Sequence, residues 1–128
     1  MIKSVEIRTI VHATEDEDKV RRALSTITSK KFKKINARGH YGQRIDILFC
    51  KLKGEEAQEV FKKIARNIGL ENMLKFLEPP TIRIKIDKQS AYEGKIELSD
   101  EADFISVCVT FSTKNRDKIE AELRRMEL

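Results

Sequence analysis

Thr81-Ile82-Arg83-Ile84-Lys85-Ile86-Asp87 alternates apolar and polar side chains without a break. Successive side chains of a strand point to opposite faces, so a strict period of two marks a strand with one buried side and one wet side. Such strands belong to antiparallel sheets with one covered and one open face; strands of parallel sheets are apolar on both sides. The pattern recurs along the chain. Over residues 2–13, Val5, Ile7, Thr9 and Val11 face one way and Glu6, Arg8, Ile10 and His12 the other. Over 104–111, Ile105, Val107, Val109 and Phe111 face inward. In the stretch 44–52, Ile45, Ile47 and Phe49 share one side while Leu48 and Cys50 take the other, which predicts a central strand. A strand over 32–39 and a short one near 94–98 complete the set.

Helical spacing fills the intervals. Val20, Ala23, Leu24 and Ile27 predict a first helix over 15–29, with Thr14 and Glu17 as its capping box and four acids near its positive end. Ala57, Val60, Phe61, Ile64, Ala65 and Ile68 predict a second helix from Gly54 to a C-cap at Gly69. A short helix over 70–77 is stopped by Pro79-Pro80. Ile119, Leu123 and Met126 form the inner side of a last helix, capped by Asn115 or Thr113. The order is β-α-β-β-α-β-β-α, an α+β fold with an antiparallel sheet and helices on one face. A chain of 128 residues fits one domain, 1–128, and no linker or repeat divides it.

Composition narrows the function. Aromatics make up 6% of the chain and Trp is absent, so the core is built from Ile, Leu, Val and Phe. Cys50 and Cys108 are unpaired in spacing and sit in apolar runs, which reads as reduced core residues. The first residues lack the apolar stretch of a signal peptide, and no run approaches the ~18 apolar residues of a membrane span, so a cytoplasmic location and no membrane partner are expected. Enzyme templates fail. Two histidines, His12 and His40, make no zinc spacing, and the five glycines are scattered rather than gathered in a phosphate loop. Tyr92 and Lys95 stand three apart, where a tyrosine–lysine dehydrogenase pair needs a helical offset of four. No catalytic residue, metal ligand or cofactor is expected.

Charge is the informative feature. Between Lys19 and Lys53 stand eleven basic residues and one acid, Asp46. That segment carries +10 where the whole chain carries +5, so the remainder is net acidic. One-sided charge of this kind is the footprint of a polyanion. The bland alternative is that Lys30, Lys31, Lys33 and Lys34 are a solvated turn and helix end; an acidic protein partner or membrane surface would also use them. On the second strand Lys34, Asn36, Arg38 and His40 share a side. Arg8 of the first strand and Arg83 and Lys85 of the later one also point away from the apolar side, so neighbouring strands would make the open face basic. Tyr41 offers a ring to an unpaired base, and Arg44 a contact for the next phosphate. With Lys88, these residues are the expected RNA contacts.

Three segments, His12-Ala13-Thr14-Glu15-Asp16, Gly39-His40-Tyr41-Gly42 and Asp87-Lys88-Gln89-Ser90-Ala91-Tyr92-Glu93-Gly94, stand in an order and spacing that resembles the archaeal family of RNA-binding, exosome-associated proteins. The resemblance runs from Val5 to about Phe111. It implies RNA binding with exosome or ribosome components as partners, and a fold similar to the ribosomal protein that binds 5S ribosomal RNA. Where the family's turn continues Asn-Pro after its second glycine, this chain has Gln43-Arg44. The resemblance carries no catalytic residues. An adaptor that docks an acidic protein is the second reading.

Overall fold

The computed structural model describes residues 1–39, 41–126 and 128. Among them the strands are β1 (Ile2–His12), β2 (Lys33–Arg38), β3 (Arg44–Leu52), β4 (Leu77–Glu78), β5 (Thr81–Asp87) and β6 (Phe104–Phe111). The helices are α1 (Glu17–Ile27), α2 (Gly54–Ile68), α5 (Arg116–Arg125) and two short ones, α3 (Leu70–Leu74) and α4 (Lys88–Tyr92). All strand pairs are antiparallel, in the order β2-β3-β1-β6-β5-β4. The fold is the expected α+β sheet with a helical layer on its apolar side.

Alternation decides which side is covered. Val5, Ile7 and Val11 of β1, Leu48 and Leu52 of β3, Ile82, Ile84 and Ile86 of β5, and Ile105, Val107 and Val109 of β6 are all buried. Against them pack Leu24 and Ile27 of α1, Phe61 and Ile64 of α2, and Ile119 and Leu123 of α5, in one continuous core. Burying each such side chain is worth roughly 1.5–3 kcal/mol. The Phe61 ring meets Phe111 edge-on, centroids 6.4 Å apart at 81°, which joins α2 to the sheet. Cys50 is buried and Cys108 half-buried, and neither is in a disulfide.

The boundaries differ from expectation in three places. First, α1 begins two residues late and ends two residues early. Asp16 caps it, accepting from the Asp18 N–H at 2.9 Å. The Thr14–Glu17 capping box does not form, because β1 continues to His12 and closes a turn in which the Glu15 N–H donates to the His12 carbonyl. Second, the expected strand at 94–98 reduces to one bridge, Leu98 to Ile86. Asp87 accepts from the Ser90 N–H at 2.8 Å and starts α4 there. The chain then returns along β5, where the Asp87 N–H reaches Glu97 and the Ser99 N–H reaches Lys85. Third, the helix expected over 70–77 stops at Leu74, and Leu77-Glu78 pairs with Ile82 and Thr81. The two ends of β5's outer edge are thus each covered by a short segment, which protects an edge from stray pairing.

Candidate nucleic-acid interface

The pleat sorts the cations onto two faces. In register, Lys33 lies opposite Phe49, Phe49 opposite Arg8, Arg8 opposite Ser106, and Ser106 opposite Lys85. These five residues form one row across five strands on the side away from the helices. Four inter-strand steps make the row about 19 Å long. A parallel row runs through Lys51, Glu6, Cys108 and Arg83. On the other side of the first row lie Ile35, Ile47 and Ile10, and Ile35 is 53% exposed. The open face therefore carries a partly exposed apolar strip bordered by cations. Arg8, Lys33 and Arg83 have no ion pair among the described residues, whereas Lys51 is 3.5 Å from Glu6. The Lys85 ammonium sits 4.6 Å from the centre of the Phe104 ring, a favourable cation–π contact.

Lys34, Asn36 and Arg38 do share a side, as expected, but it is the other one. They lie opposite Leu48, Asp46 and Arg44, on the helix side of the sheet. This corrects the expectation that Lys34 and Arg38 extend a basic open face with Arg8. The reason is local. On the open side, Ile35 and Ala37 pair with Ile47 and Ile45. On the helix side, α1 presents Glu17, whose Oε1 is 2.9 Å from the Lys34 ammonium. Hydrogen bonds from Lys34 and Arg21 hold the Glu17 carboxyl below its ordinary range. Arg38 donates to the Gly42 carbonyl at 3.0 Å. Arg44 stands 3.6 Å from Asp46 Oδ1, a buried oxygen without a hydrogen bond among the described residues. All three cations on this side thus have partners within the chain.

Lys30 and Lys31 lie in the connection between α1 and β2. Lys30 is 3.0 Å from Glu56, while Lys31 has no ion pair among the described residues. Together with Lys33, Lys51 and Lys53 they border a cleft of 470 Å³ that also reaches Phe49 and Cys50. Burial pushes the Cys50 thiol up, away from thiolate chemistry.

Lys88, grouped in the sequence with the RNA contacts, has a structural task. Its side chain is 12% exposed and its ammonium lies 2.6 Å from Asp103 and 3.2 Å from Glu15. It also donates to the Ile10 carbonyl at 2.6 Å. His12 joins this cluster, 3.5 Å from Asp103. His12, Glu15 and Asp103 are close enough to share a cation. The Lys88 ammonium is already that cation.

In the turn between β2 and β3, the Gly39 N–H donates to the Gln43 carbonyl at 2.7 Å. Gln43 Oε1 also accepts from the Tyr41 N–H at 3.0 Å, so this side chain braces the loop. Gly42 takes the left-handed conformation at φ 78° and Gly39 does not. Gly42 meets the turn's conformational demand, and Gly39 its demand for space, since a Cβ there would come within 2.5 Å of the Gln43 side chain. His40, expected among the contacts, lies outside the described residues.

Phe49, Lys51 and Lys53, which border the cleft, were not among the contacts expected from the sequence. Phe49 was legible as an aromatic on the side of β3 opposite Leu48 and Cys50. What was missing was knowledge of which side the helices cover.

A family model described as RNA binding matches residues 4–111. The chain belongs to that RNA-binding family. It is 30% identical to the RNA-binding protein PAB1135 of Pyrococcus abyssi over 81% of this chain and 78% of that one. It is also 30% identical to MJ0213 of Methanocaldococcus jannaschii, over 100% of this chain and 99% of the relative. Among solved structures, Mth689, a DUF54 protein of Methanothermobacter thermautotrophicus, superposes with a TM-score of 0.81 at 26% identity, covering 98% of this chain and 97% of the other. These relatives are archaeal. The RNA-binding family is described by a ligand and not by a reaction. Among the described residues, no helix is long and apolar enough to cross a membrane.

In a member of an RNA-binding family, an outward aromatic at a hairpin tip has a testable meaning. Tyr41 is 89% exposed. Tyr41→Ala is expected to lower RNA affinity per folded molecule by about 1–2 kcal/mol, the range for one stacked base. Tyr41→Phe is expected to bind nearly as well as the parent. Calorimetric melting and RNA titration on the same variants check this. A fall in stability without a fall in affinity would mean that the ring packs on the domain instead.

Proposed function

We propose that this protein binds RNA by laying the sugar–phosphate backbone along the open sheet face and the 39–44 turn. We propose further that it does so alongside RNA-processing or RNA-degrading machinery of the exosome type, or beside the ribosome. The observation that carries the binding mode is the row Lys33, Phe49, Arg8, Ser106, Lys85. Among the described residues its cations, Lys33, Arg8 and Lys85, are exposed and have no acidic partner, while Lys34, Arg38 and Arg44 on the helix side of β2 and β3 are engaged within the chain. Family membership supports RNA as the polyanion. The exosome, the ribosome and the 5S-binding ribosomal fold rest on the sequence resemblance.

Salt dependence tests the binding mode. Six available cations, Arg8, Lys31, Lys33, Lys53, Arg83 and Lys85, correspond to about six phosphate contacts. At roughly −0.7 per contact on single-stranded RNA, the log–log slope of affinity against salt is expected near −4.2. Fluorescence anisotropy with a short RNA, from about 50 to 200 mM salt, measures it. A flat response, or no binding at the low end, would contradict RNA binding and favour an adaptor docking an acidic protein. Affinity purification that identifies co-purifying proteins separates exosome from ribosome.

A further inference from the structure

Phe49 is where the basic row and the lysine-lined cleft meet. Pairing between β2 and β3 begins at Lys33 opposite Phe49, but β3 continues to Leu52 alongside β1. Beyond Phe49, β3 therefore has a strand neighbour on one side only. The chain coming from α1 stands off from it, and the cleft of 470 Å³ opens in the gap. Five lysines border the cleft, with Glu56 as the one acid of its lining. Two are committed, Lys30 to Glu56 and Lys51 to Glu6. Lys31, Lys33 and Lys53 have no ion pair among the described residues. Positive charges that converge on a concave volume with low-dielectric walls focus their field on whatever enters it.

We propose that this cleft is a subsite for one unpaired nucleotide, its base against the Phe49 ring and its phosphate among Lys31, Lys33 and Lys53. The inference deepens the RNA reading above and rests on it. It also assigns the substrate class, because RNA must be single-stranded where it crosses this corner. Bases in a duplex are stacked on one another and cannot reach a side chain on a sheet, whereas splayed bases stack on sheet aromatics in single-strand recognition. The volume lies within the range that holds a small ligand. Three lysines alone would suit any anion. The half-buried ring between Lys33 and Arg8 is what selects one that carries a flat base. Phe104, the other ring on the open face, is a poorer platform because Lys85 already sits over it.

The test compares a single-stranded RNA oligonucleotide with a perfect RNA duplex of the same sequence, titrated against the intact protein. Phe49→Leu is expected to weaken single-strand binding about five- to thirtyfold with the salt slope unchanged, because a stacking surface is lost and no charge. Phe49→Tyr is expected to bind within about twofold of the parent, since it keeps the ring. Lys31→Gln with Lys53→Gln, both exposed, is expected to make the slope shallower by about 1.4, two contacts' worth. Duplex binding is expected to be weaker and indifferent to Phe49→Leu. A Phe49→Leu protein that melts like the parent and binds single strands equally well would overturn the subsite. So would a slope unaffected by the lysine pair, which decides the matter even if Phe49→Leu fails to fold. If these variants bind normally while Arg8→Glu with Lys85→Glu does not, the sheet-face reading stands and the subsite falls. If the parent binds neither RNA, both fall.

Discussion

Reversing two charges of the central row, Arg8→Glu with Lys85→Glu, is expected to weaken RNA binding about 30- to 150-fold at low salt. The two residues lie either side of Ser106 in one cross-strand row, so an RNA strand crossing the open face meets both. A charge-assisted contact with a phosphate contributes about 1–1.5 kcal/mol after solvent competition. Two lost contacts make roughly 2–3 kcal/mol, which is that fold-change. Both side chains are exposed, and exposed substitutions change stability by about 0.5 kcal/mol or less. The matched control is Lys34→Glu with Arg38→Glu on the other face. It reverses the same number of charges, but the sheet lies between it and the proposed path, and screening over about 8 Å at physiological salt limits its reach. It is expected to bind within about threefold of the parent. Equal losses from the two double variants, measured by anisotropy at one salt concentration, would mean that net charge alone drives binding.

The second large effect concerns folding. Lys88→Met is expected to destabilise the protein by about 2–3 kcal/mol and to leave RNA affinity per folded molecule unchanged. The ammonium ties α4 to β1 through the Ile10 carbonyl, to the 12–15 turn through Glu15, and to the 99–103 segment through Asp103. Removing one partner of a buried pair costs about 3–5 kcal/mol. Asp103 is 45% exposed, so water recovers part of that. For a chain of this size the loss corresponds to a melting temperature about 8–12 °C lower. A Lys88→Met protein that keeps its melting temperature but loses RNA would return this residue to the interface.

These two expectations show where sequence reading succeeded and where it could not. The alternation over 81–87 placed Arg83 and Lys85 on the wet side correctly, because Ile82, Ile84 and Ile86 leave only one way to turn the strand. In β1, Val5, Ile7 and Val11 did the same for Arg8. In β3 the signal was ambiguous, since Ile45, Ile47 and Phe49 on one side balance Leu48, Cys50 and Leu52 on the other. The edge strand β2 inherits its orientation from β3 through the register, so the ambiguity passed to Lys34 and Arg38. The usual rule that an apolar residue turns inward then failed at Ile35, which packs beside Ile47 on the open face. The contacts of Lys88 within the chain were not legible for a different reason. Its partners Ile10, Glu15 and Asp103 are 78, 73 and 15 residues away, and nothing in the local sequence foretells a contact so distant. The cleft at Phe49 was equally invisible, because it exists only where β3 outruns β2.

RNA is expected to lie on the sheet face opposite the helices. A titration of the ¹⁵N-labelled protein with a short single-stranded RNA, followed by amide chemical shifts, tests it most directly. Shifts are expected to concentrate at Arg8, Lys33, Phe49 and Lys85 and in the 39–44 turn, with the outer surfaces of α2 and α5 unmoved. Shifts confined to α1, α2 or α5, with β1, β3 and β6 silent, would contradict it.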